Sequence, residues 1–222
     1  MKTYVAHYSK LKDRKQNIET LFKQASFCNY EFVTDEPSDD FLLKYNPCEE
    51  TWYNKVSLMN YNGVIPFRKL SRSDISLIYK HFLIFDKISK SKEELFLVLE
   101  DDVIFPKNIS SKINAVLNDV PEDWDFIFLG NGCNLRIENS RIKKDVLCYL
   151  KAHPASKCTD SYIVKRSAAL KILSNWNSFT FPIDFELNNH MFYHDLQVYW
   201  VEPPIINQGS QTGLFPSLRN KD

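Results

Sequence analysis

Apolar and polar residues follow one another along this chain in segments that predict alternating strands and helices. Continuous apolar runs, as at residues 95–105 and 124–130, are typical of strands buried on both faces of a parallel sheet. Apolar residues three and four positions apart, as at residues 16–25 and 71–89, predict helices. Further strands are predicted at residues 3–8, 30–33, 162–164 and 198–201, and further helices at residues 110–117, 167–173 and 185–193.

This alternation indicates the α/β class. We expect one doubly wound, mostly parallel sheet flanked by helices, with ligands bound at the carboxyl edge of its strands. The whole chain, residues 1–222, is expected to form one domain, because its length suits a single large α/β unit. Residues 38–68 are irregular and rich in aromatic residues, and we interpret them as an insertion or loop. Within them, Trp52 and Tyr53 either stack on a ligand ring or pack in the interior.

The apolar run at residues 95–105 is interrupted by three consecutive carboxylates, Glu100, Asp101 and Asp102. Like charges this close repel one another strongly away from water. They are tolerated in an exposed turn or around a cation, and the run by itself leaves both interpretations open. Hard oxygen ligands of this kind suit Mg²⁺ or Mn²⁺ that also holds phosphate oxygens. Alternation along a strand predicts Glu100 and Asp102 on one side and Asp101 on the other.

Composition excludes several classes of protein. Lys and Arg together number 28, as do Asp and Glu, and the resulting zero net charge argues against a nucleic-acid binder. With 5 glycines and neither GxGxxG nor GxxxxGK[ST], the chain lacks the fingerprints of dinucleotide-binding and P-loop proteins. The 5 cysteines are widely spaced and include no CxxC, which argues against a disulfide framework or a zinc knuckle.

The sequence also bears on the cellular compartment. No run reaches the roughly 18 apolar residues that a membrane span needs, and the first residues lack the apolar core of a signal peptide. The simplest expectation is a soluble cytoplasmic protein, of bacterial or viral origin. A piece of a longer secretory protein would have the same features.

Four local patterns then occur in a recognisable order. The opening strand leads to a turn with Asp13 and Arg14, and a helix at residues 70–81 reads LSRSDISLIYKH. The strand LVLEDDV is third, and residues 160–173 with a later Pro-Ile-Asp turn are fourth, while DFIFLG at residues 125–130 lies between them. Together they resemble glycosyltransferase family 25, which includes bacterial lipopolysaccharide sugar transferases and collagen galactosyltransferases. Family members carry a helix of the form L-x-x-x-E-I-G-C-A-L-S-H, a Glu-Asp-Asp strand and a D-x-I-x-L-G strand.

The resemblance implies a fold and an activity. The fold is the GT-A-like fold of nucleotide-diphospho-sugar transferases. The activity is metal-dependent, inverting transfer of galactose or glucose from a UDP-sugar to a hydroxyl group of a glycan or protein, with Mn²⁺ or Mg²⁺ as cofactor. Asp74, Ser76 and Lys80 depart from the family's Glu, Gly and Ser at those positions. Two functions remain as alternatives to glycosyl transfer: a degenerate protein that only binds sugar nucleotides, and a metal-dependent phosphotransferase or nuclease.

The resemblance also assigns roles to the carboxylates. Asp102 and Glu100 are predicted to hold the metal and the donor ribose, with Asp101 orienting the pair. His190 and His194 lie four residues apart on a predicted helix, so they share one face and would complete the metal shell. An ordinary exposed pair of histidines on a helix is the competing interpretation.

The remaining predicted site residues concern the donor and the acceptor. Asp184 is predicted to be the base that takes the acceptor's proton or an anchor for the acceptor, with a helix N-cap as the alternative. Arg14 is predicted at a donor diphosphate or uridine, against an interpretation as solvated surface charge. Asp74 and His81, seven residues apart on one helix face, are expected to border the donor. Residues 208–211 are predicted either to close over the donor or to form a disordered tail.

Overall fold

The structure is a computed structural model that describes residues 1–47, 69–151 and 157–216. Within these residues the strands are β1 (Lys2–Ala6), β2 (Tyr30–Val33), β3 (Leu95–Glu100), β4 (Val103–Ile104), β5 (Phe126–Phe128), β6 (Cys148–Leu150), β7 (Ser161–Lys165), β8 (Val198–Val201) and β9 (Asn207–Gln208). The helices are α1 (Lys12–Ala25), α2 (Asp39–Leu42), α3 (Arg72–Ser89), α4 (Ile109–Asp119), α5 (Arg166–Ser174), α6 (Ile183–Tyr193) and α7 (Gly209–Thr212), with 3₁₀ turns at Gly132–Asn134 and Asn139–Arg141.

In the described part of the chain, seven strands form one sheet in the order β2-β1-β3-β7-β5-β8-β6. Strand β1 pairs in parallel with β2 and β3, and β5 pairs in parallel with β8. Strand β7 runs antiparallel to β3 and β5, and β6 runs antiparallel to β8. Five strands therefore point the same way, which confirms the expected α/β fold with a mostly parallel sheet.

The register brings the carboxyl ends of three strands together. Ala6 at the end of β1 lies opposite Val33 of β2 on one side and Glu100 of β3 on the other. Because the strands end in line, the residues that follow them emerge at one edge of the sheet. The start of β7 joins the same edge, since Ser161 lies opposite Leu99 in the antiparallel pairing.

Side chains alternate between two cores, one on each face of the sheet. Tyr4 and Phe96 point to a core closed by α3, α5 and α6, whereas Val5 and Leu97 point to a core closed by α1 and α4. This period-2 alternation buries both faces, which explains why the strand sequences are almost continuously apolar. Each fully buried apolar side chain contributes about 1.5–3 kcal/mol of transfer free energy.

The strand predicted at residues 95–105 is broken in two. Strand β3 ends at Glu100, residues 101 and 102 form a turn, and β4 resumes at Val103 in a different pairing, with β9. Strand alternation therefore does not govern Asp101 and Asp102, because both lie in this turn. The short strand β6 and helix α2 were not predicted, because three or four residues carry too little periodicity.

Helix α3 begins where the sequence predicts. Ser71 accepts a hydrogen bond from the Asp74 backbone N–H at 3.2 Å, and the Asp74 carboxylate accepts one from the Ser71 N–H at 2.9 Å. This reciprocal capping box satisfies two backbone donors that the first helical turn leaves without partners.

The predicted insertion at residues 38–68 starts with α2, while Trp52, Tyr53 and the other residues of 48–68 lie outside the described residues.

The C-terminal segment, which we define as residues 207–216, returns to the end of β3. Its Gly209 donates a backbone hydrogen bond to the Asp102 carbonyl at 2.6 Å. A Cβ at Gly209 would lie 2.7 Å from that carbonyl oxygen and 2.7 Å from the Phe215 ring, so only glycine fits this approach.

Among the described residues, no helix is both long and apolar enough to cross a membrane.

Candidate functional site

A cleft with a volume of about 740 Å³ opens at the carboxyl edge of the sheet. Its walls come from the end of β1, the first half of α3, the end of β3, the start of α6 and the C-terminal segment. The lining residues with charged side chains are Arg14, Glu36, Arg72, Asp74, Lys80, Glu100, Asp101, Asp102 and Asp184, together with His7.

Asp101 is fully engaged by the protein. Its Oδ1 accepts a hydrogen bond from Arg14 Nη1 at 2.8 Å, and its Oδ2 lies 2.8 Å from His7 Nδ1 and accepts from the Tyr8 N–H at 3.2 Å. Burial alone would raise the pKa of Asp101, but the hydrogen bonds from His7 and Arg14 outweigh it and lower the pKa. Asp101 is therefore an ionised anchor that ties β3 to β1 and α1.

Arg14 connects this anchor to the C-terminal segment. Its Nη1 lies 3.8 Å from Asp102 Oδ2, and its Nη2 donates to the Pro216 carbonyl at 2.7 Å. The guanidinium also lies over the Phe215 ring, with Cζ 5.4 Å from the ring centroid. Arg14 is buried, so the interpretation as solvated surface charge does not describe it.

Asp102 and Glu100 are carboxyl groups with few partners in the protein that would stabilise their negative charge. Asp102 is buried, and its Oδ1 has no hydrogen-bond partner among the described residues. Burial raises the pKa of Asp102, although Ser210 and Arg14 partly oppose this. Glu100 accepts a hydrogen bond from Thr159 Oγ1 at 2.6 Å, yet burial and the neighbouring Asp102 raise its pKa. A cation between the two carboxylates would relieve both effects.

Asp160 is a further carboxylate that the sequence analysis did not assign to the site. It is fully buried, its Oδ2 accepts from Ser161 Oγ at 3.0 Å, and its Oδ1 has no partner among the described residues. Burial, reinforced by the charge of Asp102, raises its pKa to about 7. A Cβ at Gly130 would lie 1.9 Å from Asp160 Oδ2, so this glycine, two residues beyond the end of β5, makes room for the carboxylate.

The carboxylates fit a cation that is shared with a phosphate ligand. Within residues 1–47, 69–151 and 157–216, no three or more His, Cys, Asp or Glu side chains form a complete protein cage for a metal. Mg²⁺ normally takes one or two carboxylates and fills its remaining positions with water and substrate phosphates. The free Oδ1 of Asp102 with the nearby Glu100 provides such a partial set of oxygen donors.

His190 and His194 do not lie at the cleft, which corrects their predicted place in a metal shell. His190 is six residues beyond Asp184 on α6, about 9 Å along the axis at 1.5 Å per residue. Its ring packs 5.2 Å from Trp176 and 6.2 Å from His194, between centroids. Burial lowers the pKa of His190 to about 4. The two histidine rings stack on one another, and the His190 ring also packs against Trp176.

The two α3 residues that were predicted to border the donor have different surroundings. Asp74 lines the cleft while its carboxylate also caps the helix. His81 does not line the cleft: it is fully buried, and its Nδ1 lies 2.9 Å from the Tyr162 hydroxyl. Burial lowers the pKa of His81 to about 3. The predicted donor role of His81 is corrected to a neutral core histidine.

Asp184 lines the cleft from the first turn of α6. The N-cap position belongs to Pro182, so Asp184 is not the cap that was considered as its alternative. The loop before it is fixed by Glu186, whose Oε1 accepts from the Thr180 and Phe181 backbone N–H groups at 2.5 and 2.7 Å. Gln208, Ser210 and Gln211 reach the cleft from the C-terminal segment.

Comparison with known proteins bears on this site. The family described as "Glycosyltransferase family 25 (LPS biosynthesis protein)" matches residues 1–187. Procollagen galactosyltransferase 2 of Mus musculus is 26% identical over 131 residues, covering 57% of this chain and 20% of that protein. Procollagen galactosyltransferase 2 of Homo sapiens is 24% identical over 227 residues, covering 95% of this chain and 35% of that protein.

The chain thus spans about a fifth to a third of the length of these curated relatives. Among solved structures, it is similar to a glycosyltransferase involved in glycosylation of the major capsid of PBCV-1, with a TM-score of 0.50 and 12% sequence identity. That similarity covers 99% of this chain and 95% of the other, and at this identity it shows the fold alone.

Proposed function

Because this chain belongs to glycosyltransferase family 25, we propose that it transfers galactose or glucose from a UDP-sugar to a hydroxyl group of a glycan or protein. The observation that carries the proposal is the cleft at the carboxyl edge, where Asp102 presents a buried oxygen without a partner among the described residues. The strand ends of an open α/β sheet are also where such folds bind their ligands.

The charges of the cleft support a donor that arrives with a divalent cation. Among the described residues that line it, six carboxylates face three Lys and Arg side chains. Both oxygens of Asp101 are bound by the protein, including Arg14, so this pair offers little to a ligand. A nucleoside diphosphate is an anion, and the remaining acidic surface would repel it without a cation.

We assign the metal to Asp102 and Glu100, with Mn²⁺ or Mg²⁺ as the ion. When bound, the ion neutralises the diphosphate leaving group. Asp101 acts indirectly, because it fixes the turn that carries Asp102. The C-terminal segment contributes Ser210, whose hydrogen bond to Asp102 helps hold this carboxylate ionised.

Asp184 is the proposed base. The acceptor oxygen attacks the anomeric carbon of the sugar, its bond to that carbon forms as the bond from the carbon to the phosphate oxygen breaks, and its proton passes to the Asp184 carboxylate. UDP leaves from the face opposite the attack, so the single displacement inverts the anomeric configuration. The position of Asp184 on the cleft wall, with its loop held by Glu186, supports this role.

The test is turnover of UDP-galactose and UDP-glucose, with and without Mn²⁺, in wild type and Asp102→Asn. Removal of one group that stabilises transition-state charge typically lowers kcat by about 10²–10³-fold, and we expect a loss of that size. Glu94→Gln, in an exposed ion pair with Arg166, is the control and should retain wild-type turnover.

Other outcomes separate the competing functions. Full Mn²⁺-dependent turnover in Asp102→Asn would remove the metal assignment. A wild-type protein that binds UDP-sugars but neither transfers nor hydrolyses them would be a degenerate binding protein. Metal-dependent cleavage of DNA, without a thermal shift on addition of UDP, would identify a nuclease.

A further inference from the structure

The segment at residues 157–160, which leads into β7, packs closely against the turn that follows β5. A Cβ at Gly132 would lie 1.7 Å from the Lys157 carbonyl oxygen and 2.7 Å from the Cys158 Cβ, so a glycine is needed for this approach. Cys158 has a φ of 66°, a left-handed conformation that a residue with a side chain keeps only where its surroundings enforce it. The backbone of this segment is therefore held in one position.

Thr159 is the residue of this segment that contacts the proposed metal site. It lines the cleft and is 2% exposed, and its Oγ1 donates a hydrogen bond to Glu100 Oε1 at 2.6 Å. Beside this contact, the Glu100 backbone N–H donates to the Asp160 carbonyl at 2.9 Å. The end of β3 and the segment before β7 are thus joined at the edge of the cleft by a backbone hydrogen bond and a side-chain hydrogen bond.

Glu100 and its neighbour Asp101 have partners of different kinds. Both oxygens of Asp101 are bound, one by the Arg14 guanidinium and the other by the His7 ring. The hydroxyl of Thr159 is neutral and has a single proton to donate. It can therefore hold one oxygen of Glu100 in place, but it brings no positive charge to the carboxylate. A partner of this kind orients a carboxylate and leaves its charge for a cation.

We propose that Thr159 is a positioning residue for the metal site, and that its hydroxyl orients the Glu100 carboxylate so that Oε2 is presented to the divalent cation. This inference rests on the proposed function, because the assignment of the metal to Glu100 and Asp102 is part of that function. It adds the requirement for a hydroxyl group that does not itself bind the ion.

A purely structural hydrogen bond is the competing explanation, in which Glu100 only satisfies a buried hydroxyl. A second buried threonine argues against it. Thr3 of β1 is fully buried, and its Oγ1 has no partner among the described residues. The fold thus tolerates a threonine hydroxyl that lacks a partner in this part of the chain. The need to satisfy a hydroxyl does not by itself explain why Thr159 lies against a carboxylate in the cleft.

The test compares Thr159→Val, which keeps the branched shape and removes the hydroxyl, with Thr159→Ser, which keeps the hydroxyl. Electron paramagnetic resonance of free Mn²⁺ gives the dissociation constant of the ion without nucleotide or sugar. Loss of a group that orients a metal ligand typically weakens metal binding by about 10–100-fold, and we expect a loss of that size in Thr159→Val. Thr159→Ser should retain the wild-type affinity. Thr159→Ala is a second variant without the hydroxyl, for use if Thr159→Val does not fold.

Thr3→Val is the matched control, because it makes the same substitution at a buried threonine that does not line the cleft. It should bind Mn²⁺ with the wild-type affinity. Urea unfolding of each metal-free variant is measured in parallel, so that a change in folding is recorded separately from a change in metal binding.

Two results would overturn the proposal. A structural role would lower the free energy of unfolding of Thr159→Val and leave its Mn²⁺ dissociation constant at the wild-type value. Equal weakening of Mn²⁺ binding by Thr159→Ser and Thr159→Val would show that the hydroxyl is not the group that acts.

The measurements also separate this inference from the proposed function. Binding of Mn²⁺ that depends on the Thr159 hydroxyl, in a protein that transfers no sugar, would remove the proposed function and leave the inference intact. Sugar transfer together with Mn²⁺ binding that is independent of Thr159 would remove the inference alone. Absence of Mn²⁺ binding by wild type, with and without UDP, would remove both the metal assignment and the inference.

Discussion

The two edges of the central sheet treat their carboxylates in opposite ways. At the amino edge, Glu31 lies 2.7 Å from Lys2 Nζ and 3.0 Å from Lys87 Nζ, with 36% of its side chain exposed. Partial burial would raise the pKa of Glu31, but the hydrogen bonds from both lysines outweigh it and lower the pKa. The fold thus favours the ionised form of this carboxylate.

At the carboxyl edge, burial raises the pKa of Glu100, Asp102 and Asp160, and mutual repulsion adds to it. Asp101 alone of this group has a lowered pKa, because His7 and Arg14 bind it. The fold therefore disfavours ionisation at the edge that forms the cleft. Carboxylates with strongly raised pKa values in a cleft are typical of functional sites.

This difference indicates that the charges at the amino edge stabilise the fold, whereas those at the carboxyl edge are suited to binding a ligand. Exposed, fully paired charges at the amino edge serve the fold modestly. Buried, poorly matched charges at the carboxyl edge weaken it, and a bound cation would compensate for them. Four substitutions test this contrast.

Asp184→Asn should have the largest effect. Loss of a general base typically lowers turnover by about 10²–10⁴-fold, while UDP binding should persist because the proposed role of Asp184 concerns the acceptor and not the nucleotide. Turnover of a UDP-sugar and calorimetry with UDP measure the two properties. Glu93→Gln at the amino edge is the control. Loss of folding in Asp184→Asn would instead assign Asp184 a structural role.

Arg14→Met should have the next largest effect, on stability. It leaves the buried Asp101 without its guanidinium, and breaking a buried pair typically costs about 3–5 kcal/mol. Lys2→Met, which removes an exposed partner of Glu31, should cost less than about 1 kcal/mol. Urea unfolding measures both. Equal losses at the two edges would contradict the contrast.

Asp160→Asn should change how stability depends on pH. With a folded pKa of about 7 against 3.8 unfolded, the native state binds a proton that the unfolded state lacks between these values. Wild-type stability should then fall as pH rises through this window, by about 1.4 kcal/mol per unit from this group. The free energy of unfolding of Asp160→Asn, relative to that of wild type, should therefore increase with pH at the same rate. Parallel stability curves for the two proteins would contradict the raised pKa.

Glu31→Gln should have the smallest effect and the opposite pH dependence. The lowered pKa of Glu31 stabilises the fold above its unfolded value of 4.5, and this contribution is lost as pH falls through the folded pKa. Solvent screens this exposed group, so the variant should lose less than about 1 kcal/mol at pH 7. Unfolding at pH 7 and pH 3 measures the difference, which should be smaller at pH 3.

Several features of the site were accessible from the sequence because they are local. The apolar run before Glu100 predicts a buried strand whose end exposes the carboxylates at a sheet edge. The spacing of Ser71 and Asp74 predicts the start of α3, and the structure has the capping box. The order of such motifs also identified the family, which the match over residues 1–187 confirms.

Other features depend on contacts between distant segments. Asp160 lies near Glu100 because β7 pairs antiparallel to β3, a pairing between residues about sixty positions apart that no local period records. The same limit separates Asp101 from Asp102: the sequence presents them as equivalent neighbours, but His7 and Arg14 bind only the former as a hydrogen-bonded anchor.

What the sequence by itself determined is the succession of strands and helices, the family and the position of the carboxylates at a strand end. Hydrophobic periodicity and capping act over a few residues, so the sequence records them directly. Only the tertiary structure decided which charges are buried, which are paired and which face the cleft. His190 and Lys80 show the reason: helical spacing gives each a face, but the packing of the whole sheet decides what that face meets.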